Sequence, residues 1–108
     1  MESALLIIGA GPAGLLAAWS AAQLRPPGGV RVLDRLPTAG AKLAVTGGGR
    51  GNLSHVSSEE AFAAAFGKQG RFTIPAFRSL PPEDLCAFFQ RLGAPTTVDE
   101  AGRIYPQA

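Results

Sequence analysis

Three glycines and one carboxylate carry the most readable chemistry in this chain. Gly9, Gly11 and Gly14 form G-x-G-x-x-G directly after the apolar run Leu5-Leu6-Ile7-Ile8, and Asp34 lies twenty residues beyond Gly14. Each part of that pattern has a physical task when the ligand is a dinucleotide. Gly9 permits a tight turn off a strand, Gly11 lets the backbone approach a pyrophosphate, and Gly14 lets the next helix pack close to the sheet. That helix then presents unpaired N–H groups and the positive end of its dipole to the phosphates. Asp34, at the end of Val30-Arg31-Val32-Leu33, is placed to accept hydrogen bonds from ribose hydroxyls. The pattern implies an ADP-containing cofactor, FAD or NAD(P). A P-loop is excluded because Leu15 stands where its lysine belongs.

These residues need a β-α-β scaffold. Ala4 to Ile8 reads as a strand buried on both faces. A helix follows from Pro12 to about Leu24, with Leu15, Ala18, Trp19 and Ala22 on one face and Pro12 in the first turn. Pro26-Pro27-Gly28-Gly29 ends it, and Val30 to Leu33 is a second parallel strand. The uncharged stretch Ala4 to Leu24 is long enough to span a bilayer, but its glycines and Pro12 fall at the dinucleotide positions and would break such a helix. The only charge before it is Glu2, which disfavours a signal peptide.

Beyond Asp34 the chain is glycine-rich, with Gly40 and then Gly47-Gly48-Gly49-Arg50-Gly51-Asn52. This segment is expected to mould itself around a ligand or a neighbouring element. Ser57 or Ser58 caps a helix ending near Phe66, Gly67 to Arg71 is a turn, and a second helix runs from Pro82 to Leu92 before Gly93. Thr96 to Asp99 and Arg103 to Tyr105 form a hairpin. Phe62, Phe66, Phe72 and Phe77 are expected in the core, as is Cys86. His55 is the only histidine and has no visible partner, so it reads as a loop residue rather than a general base.

Composition narrows the function classes. A chain of 108 residues with 46% apolar and 17% charged residues is a folded domain at most one unit long, not a disordered segment. A net charge of +2, without any Lys/Arg cluster, gives no footprint for nucleic acid. One cysteine excludes an internal disulfide framework and fits a reducing compartment, hence a cytoplasmic, non-membrane protein. No metal site is expected.

The segment Gly40-Ala41-Lys42-Leu43-Ala44-Val45-Thr46-Gly47-Gly48-Gly49-Arg50-Gly51-Asn52-Leu53-Ser54 resembles the G-x-K-x-x-x-(S/T)-G-G-G-R-C-N-x-(S/T) block of a family of bacterial flavoproteins. That family includes the BaiN type and the aminoacetone-oxidase-like proteins. Phe88-Phe89-Gln90-Arg91-Leu92-Gly93 and Gly102-Arg103-Ile104-Tyr105-Pro106 are similar to its later blocks. The resemblance implies an α/β fold, residues 1–108 forming an incomplete N-terminal part of a Rossmann-like FAD-binding domain. It also implies that Gly9, Gly11, Pro12, Ala13 and Gly14 line the FAD pyrophosphate and Asp34 the ribose, with Lys42, Arg50 and Asn52 near the cofactor. Arg35 is an adenine- or ribose-side candidate by its place next to Asp34. Two positions depart from the pattern: Gly51 stands for the usual cysteine, and Asp34 for the usual glutamate. The implied activity is flavin-dependent hydride transfer with NAD(P)H as donor and a small-molecule substrate bound elsewhere in a larger protein. Two other readings remain open: a truncated, non-catalytic chain that binds FAD weakly alone, and an NAD(P)-binding reductase without flavin. No residue identifies a catalytic acid or base, and the oligomeric state is not legible.

Overall fold

The computed structural model describes residues 4–107, so Glu2 and the charge reading made on it lie outside the described residues. The chain divides into two compact units, Met1–Gly49 and Arg50–Ala108.

The first unit is the expected β-α-β. Strands β1 (Leu5–Ile8) and β2 (Val30–Leu33) pair in parallel, from Leu5 opposite Val30 to Ile8 opposite Leu33. The pairing continues past both ends: Leu5 N–H donates to the Gly29 carbonyl at 2.8 Å and Gly9 N–H to the Leu33 carbonyl at 2.6 Å. Helix α1 (Pro12–Ala22) starts with Pro12 in its first turn, where a missing N–H costs nothing. It ends two residues earlier than its periodicity suggests.

One sequence expectation for this unit changes. β1 is not buried on both faces: Leu6 and Ile8 are exposed, Ile8 at 76%. A strand with one neighbour and one covering helix keeps open the side chains that a central strand would bury. In α1, the half-buried positions are Gly14, Ala18 and Ala21, while Leu15 and Trp19 lie exposed. Small residues face the sheet because the helix approaches it closely. After β2 come two short turns of helix, α2 (Ala41–Ala44) and α3 (Thr46–Gly49), the second interrupted by left-handed Gly47 and Gly48.

The second unit is built around an antiparallel sheet of order β3-β5-β4, comprising β3 (Ser54–His55), β4 (Thr96–Val98) and β5 (Arg103–Pro106). The β4–β5 hairpin matches the sequence reading; β3, only two residues long, carries no periodic signal. Ile104 and Tyr105 on the central strand are each 1% exposed and form the core of this unit.

Three helices lie between β3 and β4. In α4 (Glu59–Ala65) the Ser58 hydroxyl caps the start, accepting from Ala61 N–H at 3.1 Å. After a 3-10 turn at Gly67–Gln69 comes α5 (Gly70–Ser79), in a stretch the sequence reading began as a turn. Pro75 inside and Gly70 at its start are both helix-breaking signals. Packing overrides them: a Cβ on Gly70 would overlap the Ala63 carbonyl oxygen, so glycine admits the close α4–α5 approach. The Phe77 and Phe62 rings meet at 4.8 Å. Phe66 and Phe72, expected in the core, are instead 53% and 89% exposed. Helix α6 (Pro82–Arg91) has acidic residues Glu83 and Asp84 in its first turn, and Gly93 (φ 78°) follows its end. Among the described residues no helix is long and apolar enough to cross a membrane.

Candidate functional site

The elbow between β1 and α1 is shaped by its glycines. Gly9 sits at φ 104°, a conformation that disfavours any side chain. A Cβ on Gly14 would overlap the Gly9 carbonyl oxygen, so the first turn of α1 lies against the elbow's backbone. Gly11, the N-cap, has no side chain to satisfy the first-turn N–H groups, and no acidic residue stands in that turn. Nothing lies within 4 Å of where a Cβ on Gly9 or Gly11 would sit. Open space, unpaired N–H groups and a helix N-terminus together suit a diphosphate.

The end of β2 contributes to the same site. A cleft of about 470 Å³ is lined by Ile8, Gly9, Ala10 and Gly11 from the elbow and by Leu33, Asp34, Arg35, Leu36, Thr38, Ala41 and Lys42 from β2 and the segment after it. Asp34 ties these two segments together. Its Oδ2 accepts from Ala10 N–H at 2.6 Å and its Oδ1 from Leu36 N–H at 2.7 Å. Ala10 is held on its other side as well, because its carbonyl accepts from Gly40 N–H at 2.7 Å. The N–H bond from Ala10, then that from Leu36, holds the Asp34 carboxyl below its ordinary value; partial desolvation opposes this, and the Arg35 and Lys42 charges add to it. The carboxylate is therefore ionised at neutral pH and has lone pairs left for ribose hydroxyls.

Of the sequence-derived candidates, Gly9, Gly11, Asp34, Arg35 and Lys42 line this one cleft. Pro12, Ala13 and Gly14 form the first turn of α1 that leads off from it. Arg50 and Asn52 belong to the second unit. There the Arg50 guanidinium lies 3.9 Å from the Tyr105 ring centroid and donates to the Tyr105 hydroxyl at 3.0 Å, with the Asp99 carboxylate 3.9 Å away. Asn52 Nδ2 donates to the carbonyls of Ser54 and Ile104 at 3.1 and 3.2 Å, bracing β3 on β5. His55, expected in a loop, lies on β3, and its Nδ1 is 2.7 Å from the Val56 carbonyl oxygen. Sequence reasoning overlooked Ala10 and Leu36, whose contribution is a backbone N–H rather than a side chain. It also gave no role to Gly40, left-handed at φ 68°, although its place just before Ala41-Lys42 marks the turn.

A parallel β-α-β with a glycine elbow, an uncapped helix start and a backbone-anchored carboxylate defines a nucleotide-binding region of Rossmann type. Over residues 3–108 the chain matches the HI0933-like protein Rossmann domain. It belongs to that family, which is the family of BaiN and aminoacetone-oxidase-like FAD-dependent oxidoreductases.

Proposed function

We propose that this chain is the FAD-binding region of a flavin-dependent, cytoplasmic oxidoreductase, and that its cleft takes the ADP half of the cofactor. Gly9, Gly11 and the first-turn N–H groups of Ala13 and Gly14 hold the pyrophosphate, and Asp34 holds the ribose hydroxyls. Arg35 and Lys42 supply positive charge beside an anionic ligand. When bound, the isoalloxazine supplies hydride transfer, with NAD(P)H as the electron donor. These residues bind and orient; among the described residues the one carboxylate lining the cleft is already tied to two backbone N–H groups, so we assign it no proton-transfer role. The reaction on a small-molecule substrate is assigned to the whole protein.

The observation that carries this reading is the meeting of the glycine elbow and Asp34 in one cleft. A displacement titration tests it. Bound FAD should be released by ADP and not by FMN, because the residues named recognise the adenylate end. Direct binding of NAD(H) with no measurable FAD binding would favour the reductase without flavin. Release by FMN as readily as by ADP would contradict the site.

A further inference from the structure

Asp34 does more in this structure than wait for a sugar. Its two carboxylate oxygens are bonded to N–H groups of two separate segments that line the cleft, Ala10 of the elbow and Leu36 of the loop after β2, at 2.6 and 2.7 Å. Ala10 is 24 residues from Asp34 in sequence, so this is a tertiary tie rather than a local turn. The Ala10 carbonyl is tied in turn by Gly40 N–H. One peptide segment of the elbow is thus gripped through both its donor and its acceptor. Ala10 is 6% exposed, which leaves its N–H little access to water once the carboxylate is gone, and an unmet buried donor is costly.

We infer that Asp34 is a positioning residue for the phosphate end of the cleft: its carboxylate latches the glycine elbow into its ligand-ready shape before any ligand binds. The ligand part of this inference rests on the dinucleotide reading; the latch itself does not. Chemistry makes the role separable from sugar binding. A residue that only grips ribose has no effect on a ligand without ribose. Removing a negative charge beside an anion should, by Coulomb's law alone, tighten its binding. A latch has the opposite sign. In Asp34→Asn one carboxylate oxygen becomes an NH2 group facing an N–H donor, so one of the two ties is lost whichever way the amide turns.

The test uses the full chain, wild type and Asp34→Asn, with inorganic pyrophosphate and ADP as probes and amide hydrogen exchange in the absence of either. The latch predicts that pyrophosphate binding weakens about tenfold and ADP binding more, the size expected for a lost charge-assisted hydrogen bond. It also predicts roughly tenfold faster exchange at Ala10 or Leu36 without ligand, with β1 and β2 amides of the same unit unchanged as the folding control. Unchanged exchange at both amides overturns the inference whatever the affinities do. Faster exchange with pyrophosphate binding equal or tighter overturns the claim that the latch serves the phosphates. Should Asp34→Asn fail to fold, acidification of the wild-type chain replaces it: exchange at Ala10 and Leu36, corrected for intrinsic rates, that rises as the Asp34 carboxylate is protonated supports the latch, and corrected exchange unchanged through that range overturns it. Failure of the wild type to bind either probe sinks the dinucleotide reading, while the exchange result still decides the latch.

Discussion

Two aspartates, one in each unit, perform the same act over different distances. Asp99 accepts from Ala101 and Arg103 N–H, both at 2.9 Å and both through Oδ1, closing the hairpin it belongs to. Asp34 uses one oxygen for Leu36 nearby and the other for Ala10, 24 residues away. The first organises a turn whose neighbouring strand already holds the core residues Ile104 and Tyr105. The second organises an empty space. Among the described residues of the first unit, only Ala10 is buried of the apolar side chains, while Leu6, Ile8 and Leu33 stay exposed. One region spends its backbone donors on a packed sheet; the other arranges them around a cleft. That contrast separates structural from ligand-directed order within one chain.

The strongest way to break the comparison is through the matched glycines at close backbone approaches, Gly14 against Gly9 and Gly70 against Ala63. Gly14→Ala should cost about 3 kcal/mol or more, because the overlapping atom is backbone and cannot swing aside. Where the elbow shifts to relieve that overlap, dinucleotide binding should fall at least about tenfold. Gly70→Ala should show its loss at α4 and α5, read as amide protection. Equal loss at the elbow from both variants would erase the distinction between the regions.

A second lever is the core of the antiparallel unit. Tyr105→Ala should destabilise it by about 3–5 kcal/mol through the cavity left behind. Tyr105→Phe keeps the ring under Arg50 and loses one hydrogen bond, about 1 kcal/mol. Thermal or urea unfolding measures both, and a Phe variant as damaging as the Ala variant would contradict packing as the main contribution.

The aspartates themselves sharpen the contrast. Asp99→Asn retains an oxygen able to accept both N–H groups, whereas Asp34→Asn cannot serve its two with one oxygen. Asp99→Asn should move the melting temperature by no more than a few degrees, and Asp34→Asn should release the elbow. Both carboxyls are held below their ordinary values, each chiefly by backbone N–H donation. Their contribution is therefore complete above the ordinary carboxylate range and lost as pH falls through the lowered folded value. Protection of the Ala10 and Arg103 amides, corrected for intrinsic exchange, should be flat from about pH 8 to 5 and decline only below about pH 4. A decline centred near neutrality would assign the ties to another group. The smallest effect is expected at the exposed Arg78–Glu59 pair, bonded at 2.8 Å. Arg78→Ala should shift melting by only about a degree or two, less in high salt.

Much of the first unit was legible in the sequence because its signals are local: an apolar run, glycines in register, Pro12 at a helix start and Asp34 at a strand end. The bounds of β2 agree residue for residue, and five of the named candidates meet in the cleft. What escaped was tertiary. The burial of β1 depends on neighbours that its composition cannot name. Helix α5 forms against Pro75 because α4 packs on it, a contribution no propensity carries. The ties of Asp34 depend on a donor 24 residues away. Arg50 and Asn52 show another limit: a motif marks residues as important without saying what they touch, and here both side chains hold β5 or its tyrosine.

The most direct test of the central claim is residue-resolved NMR of the labelled chain during titration with ADP. Amide shifts should concentrate at Gly9, Gly11, Ala13 and Gly14 of the elbow and at Arg35 and Leu36 after β2, saturate with one stoichiometric ligand, and vanish in Gly14→Ala. Saturable shifts that spare those amides, or ADP binding that survives in Gly14→Ala unchanged, would contradict the assignment of this elbow as the nucleotide site.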